Sequence, residues 1–125
     1  MHSSVTNLID IENKLNALVD QKIRKPEIIA VSKTFDIEHI KPVLEHGHKN
    51  FGENKIQEAI SKWTDVKKEH IDIKLHMLGK VQTNKVKFLI PLFDYLHSLD
   101  NLKLAEKISK EEVKKNKKIK IFIQV

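Results

Sequence analysis

Lys33 follows the apolar run Ile28-Ile29-Ala30-Val31 and Ser32, and precedes the breakers Thr34 and Asp36, so a single amine marks the mouth of a buried strand. Two states are open to it there. It is either solvated as an ammonium, or dried by its neighbours until the free amine can attack a carbonyl. Three further apolar runs give out on usable groups: Gly52-Glu53-Asn54, His76 through Gly79, and Ser98 to Asp100. In a parallel α/β barrel, functional groups gather at the carboxyl ends of the strands. Each group also has a plain structural reading. Lys33 could snorkel, Asn54 could cap a helix, and His76 could be a hydrogen-bonded core histidine.

The elements that must position these groups follow from apolar spacing. Val5, Leu8, Ile9, Leu15, Leu18 and Val19 recur at helical intervals and predict a helix from Ser4 to Lys22, with Pro26 closing the connection. Ile28 to Ser32 reads as a strand covered on both faces. A helix over Ile37 to Glu45 follows, with Pro42 kinking or restarting it and Gly47 at its end. Lys49 to Gly52 is a second strand, and Ile56, Ala59, Ile60 and Trp63 mark the next helix. Ile71 to Leu78 predicts a third strand, Thr83 to Ile90 a helix ended by Pro91, and Phe93 to His97 a fourth strand. Asp100 is placed to cap a helix carrying Leu102, Ala105, Ile108 and Val113, and Ile119 to Val125 reads as a fifth strand.

A leading helix and five strands, with a helix after each of the first four, define an α/β chain with a parallel sheet. A closed eight-stranded barrel takes roughly 200 to 250 residues. The 125 residues supply little more than half of one, and the last predicted strand has no covering helix. The expectation is therefore a chain truncated relative to the fold it encodes: the first five strands and the N-terminal helix of a TIM-type barrel.

Composition narrows the chemistry. With 40% hydrophobic residues and no apolar run near the roughly 20 residues of a membrane span, the chain reads as one cytoplasmic globular domain or part of one. The absence of cysteine removes disulfides, thiolate metal sites and cysteine nucleophiles. His39, His46 and His48 lack a completing thiol or fixed helical pair, so no metal site is assigned. Only three glycines are present, Gly47, Gly52 and Gly79, and no phosphate-loop or dinucleotide pattern is formed from them. The net charge of +6 invites a nucleic-acid reading. Yet Arg24 is the sole arginine, the lysines are interspersed with acids, and one Trp and one Tyr make a poor stacking surface. The densest cluster, Lys114, Lys115, Lys117 and Lys118, falls at a helix end where cations face the negative end of the dipole.

In order, the strings Ala30-Val31-Ser32-Lys33-Thr34, Asn50-Phe51-Gly52-Glu53-Asn54 with Gln57-Glu58, His76-Met77-Leu78-Gly79 with Gln82 and Asn84-Lys85-Val86-Lys87, and His97-Ser98-Leu99-Asp100 are more specific than any one of them. Together, across about residues 5 to 125, the chain closely resembles the pyridoxal 5′-phosphate (PLP) homeostasis proteins. The resemblance implies a barrel similar to the N-terminal domain of alanine racemase, so that residues 1–125 form the N-terminal part of a single PLP-binding domain. It implies a Schiff base between the cofactor and Lys33, with Asn54 and His76 lining the cofactor side. It implies binding, buffering and hand-over of PLP, with PLP-dependent apoenzymes as recipients, no nucleic acid or membrane partner, and no established catalysis. In the family the phosphate is held by later segments, with a serine, glycine and arginine that have no counterpart in these 125 residues. Without that grip, a Schiff base to Lys33 should be weak and reversible. Alternatives from other classes are a PLP-dependent racemase or decarboxylase-type enzyme fragment, a basic nucleic-acid-binding module, and a remnant that binds nothing well.

Overall fold

The computed structural model describes residues 2–19 and 25–125. The end of the predicted first helix at Lys22, and Arg24, lie outside the described residues. Helix α1 spans Ser3–Leu18 and leads into β1 (Ala30–Val31), α2 (Ile37–Glu45), β2 (Asn50–Glu53), α3 (Ile56–Glu69) and β3 (Lys74–Met77). A single 3-10 turn at Thr83–Lys85 runs into α4 (Val86–Leu92), followed by β4 (Tyr95–Leu99), α5 (Leu102–Lys115) and β5 (Lys120–Ile123).

All four strand pairings are parallel and the sheet order is β1-β2-β3-β4-β5. Right-handed crossovers that always step in the same direction put the connecting helices α2 to α5 on the same face of the sheet. This is the winding of a TIM-type barrel, with five of its strands present.

Strand alternation then divides the residues. Phe51, Leu75, Met77 and Leu96 are at most 1% exposed and pack with Ala59 and Trp63 of α3, Leu89 and Ile90 of α4, and Leu104 and Ile108 of α5 in one core. Asn50, Gly52, His76, Tyr95 and His97 take the opposite face. Parallel register aligns Val31, Gly52, His76, Tyr95 and Lys120 in one row across all five strands.

Several sequence expectations shift in detail. Pro42 and Pro91 each sit at the sixth position of a helix that continues past them. The carbonyl each leaves without its N–H partner belongs to an exposed residue, Glu38 or Lys87. The fourth strand begins two residues later than its apolar content predicts, because Phe93 packs in the core ahead of it and Asp94 is bonded to its neighbours. Asp94 Oδ2 accepts from Leu75 N–H and from Lys67 Nζ, both at 2.8 Å. The cap of α5 is Asn101, which accepts from Leu104 N–H at 2.8 Å, and not Asp100. Val113 and Leu102 of that helix are exposed, and its buried stripe runs through Leu104, Ile108 and Glu111. The lysine-rich segment does fall at a helix end, where Asn116 adopts the left-handed conformation with φ 49°.

Candidate site at the carboxyl ends of the strands

Ser32 continues the β1 ladder by donating its N–H to Gly52 O at 2.9 Å, and its hydroxyl donates to the carboxylate of Glu53, with Gly52 O 3.1 Å away. Lys33 follows immediately and is exposed, in a turn that Thr34 closes with a left-handed φ of 69°.

Asn54 is half-buried at the end of β2. It does not cap α3, since the cap position is Lys55 and no side-chain cap bond is formed there. Its backbone is instead pressed against Gly79 at the end of β3. A Cβ at Gly79 would collide with the Asn54 carbonyl oxygen, and Gly79 O in turn accepts from the buried Ser98 hydroxyl at 2.6 Å. The ends of β2, β3 and β4 are thereby stacked on one another. Gly79→Ala is expected to push the Asn54 segment aside and cost about 1 to 3 kcal/mol, since the obstruction is backbone rather than a movable side chain. Urea denaturation measures the loss, and an unchanged midpoint would contradict the packing.

His76 lies on the face without helices, yet only 4% of its surface is exposed. Its ring stacks on Tyr95 with centroids 4.2 Å apart and planes 5° from parallel. Nε2 lies 2.9 Å from Asn50 Oδ1, and Nδ1 lies 2.9 Å from His97 Nε2. One consistent arrangement of protons satisfies both contacts: His97 Nε2–H donates to His76 Nδ1, and His76 Nε2–H donates to Asn50. In that arrangement the His76 imidazole is neutral. Burial, reinforced by the neighbouring His97, holds His76 down at about 4, and burial also lowers His97. His97 stacks on Phe122 at 4.6 Å, so the row of rings extends to β5.

Lys33 and Asn54 lie just past the carboxyl ends of β1 and β2, whereas His76 sits inside β3, level with Val31, Gly52 and Tyr95; among the described residues no hydrogen bond joins the three. Asn50 and Tyr95, the partners that orient His76, were not assigned roles from the sequence. The signal was available, because period-two alternation puts Asn50 with Gly52, and Tyr95 with His97, on a common face.

An exposed primary amine at a strand end can condense with an aldehyde, and flat rings on neighbouring strands can stack on an aromatic group. The "Alanine racemase, N-terminal domain" family model matches residues 7–125. The chain belongs to that family. Within it, the chain is 31% identical over 123 residues to the pyridoxal phosphate homeostasis protein of Pasteurella multocida, covering 95% of this chain and 52% of that protein. A protein of the same name from Buchnera aphidicola is 38% identical over 103 residues, covering 82% of this chain and 44% of the relative. Among solved structures, PipY of Synechococcus elongatus with PLP bound superimposes with a TM-score of 0.75 at 30% identity, over 90% of this chain and 51% of PipY. The chain spans about half the length of the curated relatives it matches.

Proposed function

We propose that this chain is the N-terminal part of a PLP-binding barrel that serves intracellular vitamin B6 homeostasis, with Lys33 as the residue that forms the Schiff base. The observation that carries the reading is the exposed Lys33 amine at the carboxyl end of β1, in a chain whose solved neighbour PipY holds PLP. PLP supplies an aldehyde that condenses with a primary amine. The chain's own contribution is position: the β1 turn presents the amine, Asn54 lines the adjacent strand end, and His76 offers a neutral ring held by Asn50, Tyr95 and His97.

The role is binding and hand-over rather than catalysis, with PLP-dependent apoenzymes as recipients and the cytoplasm as the setting. The relatives' names as homeostasis proteins support the binding role. Among the described residues, no helix is long and apolar enough to cross a membrane.

Titrating the chain with PLP and following the imine absorbance tests the reading. Lys33→Ala is expected to abolish the site-specific signal. Lys80→Ala, at an 82% exposed side chain, and Lys85→Ala are expected to leave it intact. Amino acids added to the mixture are expected to show no turnover. Equal signal in all three variants would reduce the lysine assignment to nonspecific surface chemistry, and turnover would favour the racemase-like alternative.

A further inference from the structure

A chain of charges runs beneath the Lys33 turn and is not explained by packing alone. Glu53 is the last residue of β2 and, by alternation from Phe51, points at α3, where it is fully buried. Its carboxylate accepts from the Ser32 hydroxyl, from Lys62 Nζ at 3.1 and 3.2 Å, and from Trp63 Nε1–H at 3.2 Å. Lys62, with a side chain only 6% exposed, also donates to Ser32 O at 2.8 Å and to Glu58 Oε1 at 3.3 Å. Glu58 Oε1 accepts from Thr34 N–H at 2.7 Å. The residues on both sides of Lys33 are therefore tied to one turn of α3, one through Glu53 and Lys62, the other through Glu58.

Stability gives little reason for such an arrangement. Taking an ammonium and a carboxylate out of water costs several kcal/mol per ion, and well-packed apolar side chains of similar volume are often as stabilising or more so. What the charges supply is direction, because the buried Glu53 carboxylate and Lys62 ammonium are both hydrogen-bonded and each bond fixes an angle. The two anchored positions bracket the lysine, and the second of them holds a left-handed backbone that Thr seldom adopts.

We propose that Glu53, Lys62 and Glu58 are positioning residues that clamp the turn carrying Lys33, fixing where its amine meets an incoming carbonyl. The inference rests on the reading of Lys33 given above, but the clamp has a consequence independent of any ligand. The amide of Thr34 should be protected from exchange by its bond to Glu58 of α3.

Glu58→Ala removes the acceptor for Thr34 at a side chain one-third exposed. Glu58→Gln keeps an oxygen that can accept the same N–H. The pair Glu53→Gln with Lys62→Met keeps volume and removes both buried charges. Each variant is compared with the parent chain for folded signal by circular dichroism, hydrogen exchange of the 30–36 segment, and borohydride-fixed label at Lys33 under subsaturating PLP. Glu58→Ala is expected to accelerate exchange in the turn and to lower Lys33 labelling about tenfold, the order of one hydrogen bond to a charged group. Glu58→Gln is expected to recover most of both. The double variant is expected to stay folded and to lose labelling. Unchanged exchange and labelling in Glu58→Ala would overturn the proposal. So would labelling that falls only in step with the folded signal. A parent chain that is not labelled at Lys33, but whose turn loosens in Glu58→Ala, would retain the clamp and sink the Lys33 chemistry.

Discussion

Trp63→Ala should cost about 3 to 5 kcal/mol, the range for deleting a fully buried aromatic side chain, and should unfold a large fraction of the chain under conditions where the parent is native. Trp63 is 0% exposed, and its ring lies 4.9 Å from that of Phe51, so it fastens α3 to β2. Its indole N–H is also one of the donors on buried Glu53, and truncation leaves that carboxylate short of a partner. Trp63→Phe separates the two effects, because it retains most of the apolar area and removes only the donor, at an expected cost of about 1 to 3 kcal/mol. Midpoints in urea at constant slope measure both. A loss under about 1 kcal/mol for Trp63→Ala would mean that α3 is not docked as described.

The second large effect is a dependence on acid set by His76. Its folded value of about 4 lies below the ordinary value near 6.5, so the unfolded chain takes up the proton first as the pH falls. The contribution is fully present above about pH 6.5 and declines between there and pH 4, by up to about 3 kcal/mol at 1.36 kcal/mol per unit. His97, lowered in the same direction by burial, adds to the slope. The carboxylates of Asp36, Glu58 and Asp72 are depressed by hydrogen bonds from His39, Thr34 and Lys49 respectively, so their contributions are lost only below about pH 4.5, largely beneath the histidine window. Denaturation curves at half-unit steps from pH 7 to 4 should therefore fall steadily in the parent. In His76→Gln they should be markedly flatter. An equal slope in both would place the titrating group elsewhere.

Much of the architecture was legible because the chain alternates short apolar runs with helical spacing, and five such runs admit few parallel arrangements. The boundaries were less so, for reasons that lie in pairing rather than propensity. Ile28 and Ile29 look like strand residues, yet only Ala30 and Val31 are paired as β1, because its ladder with β2 opposes just Phe51 and Gly52. Asp100 and Asn101 are equally good caps by type. The choice between them depends on where β4 ends, at Leu99, just past a register shift against β5.

The site divides in the same way. Lys33, Asn54 and His76 stood out as polar groups where apolar runs end or inside one. Glu53, Lys62 and Trp63 did not appear as a unit, because their link depends on Glu53 facing the helices. Asn50 and Tyr95 became partners of His76 only once register brought β2, β3 and β4 side by side.

The central claim is that Lys33, among many lysines, is the one this fold presents to the cofactor. Incubating the chain with PLP, reducing with borohydride and locating the modified residue by peptide mass mapping tests it directly. The account predicts stoichiometric label confined to Lys33. Label scattered over many lysines, or no label at all, would contradict it.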